Sequence, residues 1–185
     1  MDKTIERSDR TMKMVRMLVG MLGGMALMLS ACGSQADQVQ ESEKGSSNSV
    51  PATGTYPDGS TPQFSGKRLR LTVDGNEVII AMYDNTAADA YLERLPLDNV
   101  EFYDLSGIEK PARNDGAPFS IADEDPGYDP VTGEMVIYRP WGSFTIFYED
   151  FRHSNELVPL GVVESGLEVL SGEEDDFTGT IEFME

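Results

Sequence analysis

The stretch from residue 67 to residue 83 constrains the fold of this chain more than any other. Arg68-Leu69-Arg70-Leu71-Thr72-Val73 alternates polar and apolar at every step. That is the period of a strand with one wet and one dry face. Asp74-Gly75-Asn76 follows, a tight-turn signal between two strands. Residues 77–83, EVIIAMY, are apolar at nearly every position, as in a strand covered on both faces or built into a barrel wall. The two strands are expected to pair antiparallel across the turn.

The remainder of the C-terminal part keeps this texture. One helix is expected from Thr86, which can cap it with Asp89 three residues on. Its stripe is Ala88, Tyr91, Leu92 and Leu95, and Pro96 ends it. Residues 100–104 return to strand, and 106–130 read as loop. Residues 135–138 and 144–148 are strands flanking Pro140-Trp141-Gly142. Residues 158–164 form another strand, followed after Gly166 by a short helical turn at 167–170. Phe177, Gly179, Ile181 and Phe183 alternate with Thr178, Thr180 and Glu182 to make a closing strand. Seven or eight short strands with no βαβ rhythm give an antiparallel barrel or sandwich.

Residues 1–65 have a different composition. Lys3, Arg7, Arg10, Lys13 and Arg16 precede an uncharged run, MLVGMLGGMALMLSA, at residues 17–31. That is the length of a signal h-region and short of the roughly 20 residues of a membrane span. It ends in Leu29-Ser30-Ala31-Cys32, which resembles the bacterial lipoprotein box at all four positions. The resemblance implies cleavage before Cys32 and lipidation of its sulfur. The expected organisation is a lipoprotein signal peptide at 1–31, a lipidated Cys32 with a flexible linker at 32–65, and a barrel domain at 66–185. The linker is rich in Gly, Ser, Pro, Gln and acids and has too little apolar surface to offset its ordering entropy. At its length a flexible chain spans about 30 Å. The expected location is the extracytoplasmic side of a cell membrane, reached through the lipid on Cys32.

Charge narrows the functions. The net charge is -19, from 14 Lys+Arg and 33 Asp+Glu. Removing residues 1–31 takes five bases and three acids, which leaves -21. Such a surface excludes nucleic acid as a partner and is repelled by anionic headgroups. One His and one Cys exclude most zinc sites and any internal disulfide. No cofactor and no metal is expected.

The segments LRLTVDGNEV, LERLPL, GYDPVTGEMVIYRPWGSFTIFYEDF and ELVPLGVVESGLEVL together resemble the bacterial cyclophilin-like domain family over residues 69–182. The resemblance implies a closed antiparallel barrel of about eight strands with one or two short helices at its ends. The whole chain would then be mainly β, behind an N-terminal signal helix and a disordered tether. The FHRxI and QGGD-type segments that carry the active groove of the cyclophilins are missing, so no catalytic residue is assigned.

The expected function is a binding module for a small molecule or a peptide. The alternatives are a peptidyl-prolyl isomerase assisting exported proteins and a non-catalytic envelope interaction domain. Isomerisation needs an apolar pocket for the proline ring and a donor to the imide nitrogen. Arg113, Arg139 and Arg152 are the available donors. Phe119, Trp141, Phe144 and Phe147 are available to line a pocket. Asp150 and His153 follow a strand and have the chemistry of an acid–base pair. The ligand-binding candidates are therefore Arg113, Arg139, Trp141, Phe147, Asp150, Arg152 and His153.

Overall fold

The structure is a computed structural model, and it describes residues 51–113, 121–124 and 127–184. The expected signal peptide, Cys32, linker residues 32–50 and Phe119 lie outside the described residues.

The first hairpin forms as the alternation dictates. Strand β1 (Phe64–Val73) buries Leu69, Leu71 and Val73 completely. Its other face carries Arg68 and Arg70, paired with Glu164 at 2.6 Å and Glu182 at 2.8 Å. Asp74 and Gly75 make the turn with φ of 48° and 81°, and Val73 then faces Asn76. Two consecutive left-handed residues match the twist of the flanking strands. Strand β2 (Asn76–Tyr83) buries Val78, Ile80, Ala81, Met82 and Tyr83.

Helix α1 (Thr86–Leu92) is capped one residue earlier than expected, by Asn85, whose side chain accepts from the Ala88 N–H at 2.8 Å. Asn at this position satisfies an orphan donor as well as Thr does. The Thr86 hydroxyl donates instead to the Glu124 carboxylate, which also accepts from the Ala87 N–H. Ala87, Ala88 and Tyr91 form the buried face.

The remaining strands are β3 (Leu97–Phe102), β4 (Glu109–Pro111), β5 (Glu134–Tyr138), β6 (Ser143–Phe147), β7 (Leu157–Ser165) and β8 (Phe177–Met184), with α2 (Leu167–Gly172) before the last. Strand β4 falls inside the stretch expected to be loop. The order β3-β8-β1-β2-β7-β5-β6-β4 is antiparallel throughout. Its two edges meet where Phe102 bridges Ala112 and the Arg113 N–H donates to Glu101 at 2.7 Å. The result is the expected mainly β, nearly closed eight-stranded barrel with two short helices.

Two apolar clusters follow from strand periodicity. Inward side chains such as Leu69, Leu71, Ile80, Phe102, Phe144, Ile146 and Leu160 fill the barrel. A second cluster, of Tyr128, Val136, Phe147 and Leu157, lies on the outer face of β5–β7, with Tyr56, Ile108, Tyr138 and Phe151 against it.

Residues 51–63, assigned above to the linker, lie along the barrel. Thr55 and Asp129 exchange backbone hydrogen bonds at 3.0 and 2.9 Å. Tyr56 packs edge-on against Tyr128 with ring centroids 5.4 Å apart. Gly54 is buried, and its N–H donates to Glu134 Oε1 at 2.9 Å. Glu134 is itself fully buried, and it also accepts from Tyr83 and Tyr128 at 2.6 Å each and from the Val131 N–H at 3.1 Å. Four donors satisfy this carboxylate, and the Gly54 N–H among them fastens the strap to β5. Sparse aromatic residues and a backbone pairing, not a periodic pattern, hold the segment. Composition alone therefore reads it as tether.

Candidate functional site

Strand β6 alternates Ser143, Thr145 and Phe147 outward with Phe144 and Ile146 inward. Register sets Pro111 of β4 opposite Thr145 and Glu109 opposite Phe147. On the other side, Tyr138 of β5 lies opposite Ser143 and also opposite Leu157 of β7. The outer face of these strands therefore presents a row of rings with Glu109 and Thr145 set among them.

Two loops raise walls around that row. The β5–β6 turn closes with the Trp141 and Gly142 N–H groups donating to the Tyr138 carbonyl at 3.0 and 2.9 Å. It leaves Trp141 edge-on to Tyr138, centroids 4.8 Å apart, and 58% exposed. The β6–β7 loop lays Phe151 in a stack on Phe147 at 4.9 Å, with the Arg152 guanidinium 5.7 Å from the Phe151 ring centre. Ser154 ties the loop down by pairing with Tyr128. Between the walls lies a cleft of about 220 Å³, lined by Glu109, Tyr138, Trp141, Thr145, Phe147, Phe151 and Arg152 among others.

The polar groups of the cleft are incompletely satisfied. Thr145 is 3% exposed, and its Oγ1 has no hydrogen-bond partner of ordinary geometry among the described residues. Glu109 is the cross-strand diagonal neighbour of Thr145. Burial holds its carboxyl above the usual carboxylate range, and the nearby Thr145 hydroxyl offsets this in part.

The cleft gathers Trp141, Phe147 and Arg152 from the sequence candidates, together with Phe144. The other candidates are elsewhere. Arg139 donates to the Ile121 carbonyl at 3.4 Å and the Glu124 carbonyl at 2.8 Å, which braces the loop beside α1. Arg113 lies over the Tyr103 ring at 4.3 Å and pairs with Asp176 at 3.1 Å. It borders an open hollow of about 550 Å³ with Asp74, Glu101 and Glu173. Asp150 accepts from Thr132 at 2.8 Å, so it is not the partner of His153. His153 instead faces Asn155 at 3.0 Å and Asp129 at 3.3 Å. The Asn155 hydrogen bond raises its pKa most, burial opposes this, and Asp129 adds to the rise. Glu109, Thr145, Tyr138 and Phe151, none of them a candidate from the sequence, also line the cleft. The alternation of SFTIF placed Thr145 on the outer face, but nothing in the sequence placed Glu109 beside it.

Among the described residues no group of three or more His, Cys, Asp or Glu side chains could hold a metal ion. Nor is any helix among them long and apolar enough to cross a membrane.

Residues 71–182 match the family model described as the cyclophilin-like family. No curated protein matches the chain. The solution structure of a hypothetical protein from Archaeoglobus fulgidus superimposes with a TM-score of 0.50 at 17% identity, covering 65% of this chain and 96% of that one. At that identity the likeness concerns the fold.

Proposed function

The chain belongs to the cyclophilin-like family, and from that premise we propose that it is a lipid-anchored, extracytoplasmic binding protein. Its cleft receives a small molecule or a short piece of peptide. The export signal and the Leu29-Ser30-Ala31-Cys32 sequence support the anchor. Lipid on Cys32 holds the protein to the membrane against the repulsion of its own negative charge.

The observation that carries the binding reading is Thr145. A buried hydroxyl without a well-formed hydrogen bond is costly, commonly about 1–3 kcal/mol. Here it faces an aromatic cleft that a ligand can enter. Clefts that take drug-sized ligands measure roughly 300–1,000 Å³. A cleft of about 220 Å³ therefore admits one ring or one side chain, not an extended polymer.

A thermal-shift screen of the full-length protein against small metabolites and short peptides tests this. A true ligand at 100 times its Kd stabilises by about 2.7 kcal/mol. That shift is expected to disappear in Thr145→Val and Trp141→Ala. If every shift survives both substitutions, the cleft is not the site.

One observation favours a second reading, prolyl isomerisation. Arg152 is exposed above Phe151 at the edge of the cleft, among the rings a proline would need. A protease-coupled assay on a proline peptide decides it. Acceleration lost on Arg152→Ala supports the enzyme, and no acceleration by the parent protein removes it.

A further inference from the structure

We propose that the cleft is selective for an organic cation: an ammonium group set against Glu109 and Thr145, with its apolar body among Trp141, Phe147 and Phe151. This rests on the cleft being a binding site, as argued above, and adds the chemistry of what it binds.

Glu109 is the first ground. It projects from β4 into apolar surroundings, opposite Phe147 and diagonal to Thr145. No Lys or Arg among the described residues pairs with it. Arg152 lines the same cleft but is exposed at its edge over Phe151. A half-buried carboxylate without a counter-ion among apolar side chains favours a positive charge beside it.

The second ground is independent of charge. Thr145 Oγ1 is a buried oxygen without a hydrogen bond of ordinary geometry, close to the Glu109 carboxyl, and it lines the same cavity on the same face. An ammonium N–H would satisfy it and the carboxylate together. The third ground is the rings. Phe147 and Phe151 stack, and Tyr138 and Trp141 meet edge to face, so electron-rich faces border the space beside the carboxylate. Such faces attract cations within about 6 Å of the ring centre. The net charge of -19 adds a long-range field that draws cations in and keeps anions out. A neutral ligand would leave Glu109 without a counter-ion, and an anion would oppose both the carboxylate and the field.

The ammonium could belong to a free amine or to a lysine side chain, and the cleft chemistry is the same for both. Calorimetric titration of the full-length protein at pH 7.5 uses four probes: phenethylamine, N-acetyl-lysine amide, phenethyl alcohol as the neutral isostere, and phenylpropionate as the anion. At least one cation is expected to bind about tenfold or more tightly than the alcohol, with the anion weakest. Which cation prevails identifies the source. Lowering the pH through the Glu109 titration is expected to reduce cation binding and leave alcohol binding unchanged. Glu109→Gln is expected to bring the ratio of cation to alcohol close to one without loss of fold by circular dichroism. The wild-type pH series supplies the same information should that variant fold poorly. Equal affinities of cation and alcohol, or a preference untouched by pH and by Glu109→Gln, overturn the cation proposal while leaving the cleft as a site. No binding of any probe overturns both.

Discussion

Replacing Gly54 by Ala tests whether residues 51–63 belong to the fold. A Cβ at this position would lie 2.2 Å from the Asp129 carbonyl oxygen, 2.8 Å from Glu134 Oε2 and 2.8 Å from Cζ of Tyr128. None of the three can yield cheaply. The carbonyl is paired with Thr55, and Tyr128 and Glu134 are fully buried. The chain then has two responses. Local strain of the overpacking kind costs about 1–3 kcal/mol. Lifting the strap forfeits two backbone hydrogen bonds, the Gly54–Glu134 bond and the Tyr56–Tyr128 contact, together about 4–6 kcal/mol. Strain is the cheaper response, so a loss of about 2–3 kcal/mol is expected. For a domain of this size that corresponds to a fall of roughly 10 °C in Tm. Thermal unfolding of the full-length variant measures it, and chymotrypsin cleavage at Tyr56 reports on the strap directly. A Tm within 2 °C of the parent (about 0.5 kcal/mol), with Tyr56 cleaved as readily in the parent as in the variant, would refute the claim that this segment is docked.

Three further outcomes are expected. Glu109→Gln should raise Tm by a few degrees at pH 7.5 and by progressively less as the pH falls to 4. The folded-state pKa of Glu109 is raised by burial, so its ionisation opposes folding at high pH and the cost vanishes once the carboxyl is protonated. Asp104→Asn should do the reverse. Lys110, Tyr148 and the Gly107 N–H hold the Asp104 carboxyl down at about 2, so its stabilisation is present at neutral pH and lost as the pH falls through about 2. Melting curves between pH 7 and pH 2 should therefore show parent and variant converge at the acid end. Cys32→Ser should abolish metabolic labelling by palmitate and release the protein from the membrane fraction, and persistent labelling would refute the anchor.

The strands that alternate cleanly or run apolar throughout were legible in the sequence, because each buries one face or both. RLRLTV, EVIIAMY and the closing FTGTIEF fall in β1, β2 and β8. Strand β4 was not legible. It has three residues, and its inward one is Lys110, 1% exposed, which donates to Asp104 at 2.8 Å and to the Glu173 carbonyl. A pattern reading places lysine outside, and only tertiary partners reverse that. Glu134 misleads in the same way. It reads as one more acid in a solvated loop, yet two tyrosine hydroxyls and two backbone N–H groups accommodate it in the interior. The cleft was half legible. Its aromatic side came from PWG and IFY, where large apolar residues cluster near turns. Its polar side depends on the β4–β6 register, which sets Glu109 diagonal to Thr145 across 36 residues of chain. Charge chemistry attracted attention to Asp150 and His153, whose nearest partners prove to be Thr132, Asn155 and Asp129.

The most direct test of the central claim is to observe where a small ammonium ion settles on the protein. A titration of the isotope-labelled full-length protein with phenethylamine, followed by amide and indole NMR shifts, reports every residue at once. The predicted result is saturable change at Glu109, Thr145, Phe147 and the Trp141 indole. Change centred on the acidic hollow around Asp74, Glu101 and Asp176, or no saturable change anywhere, would contradict it.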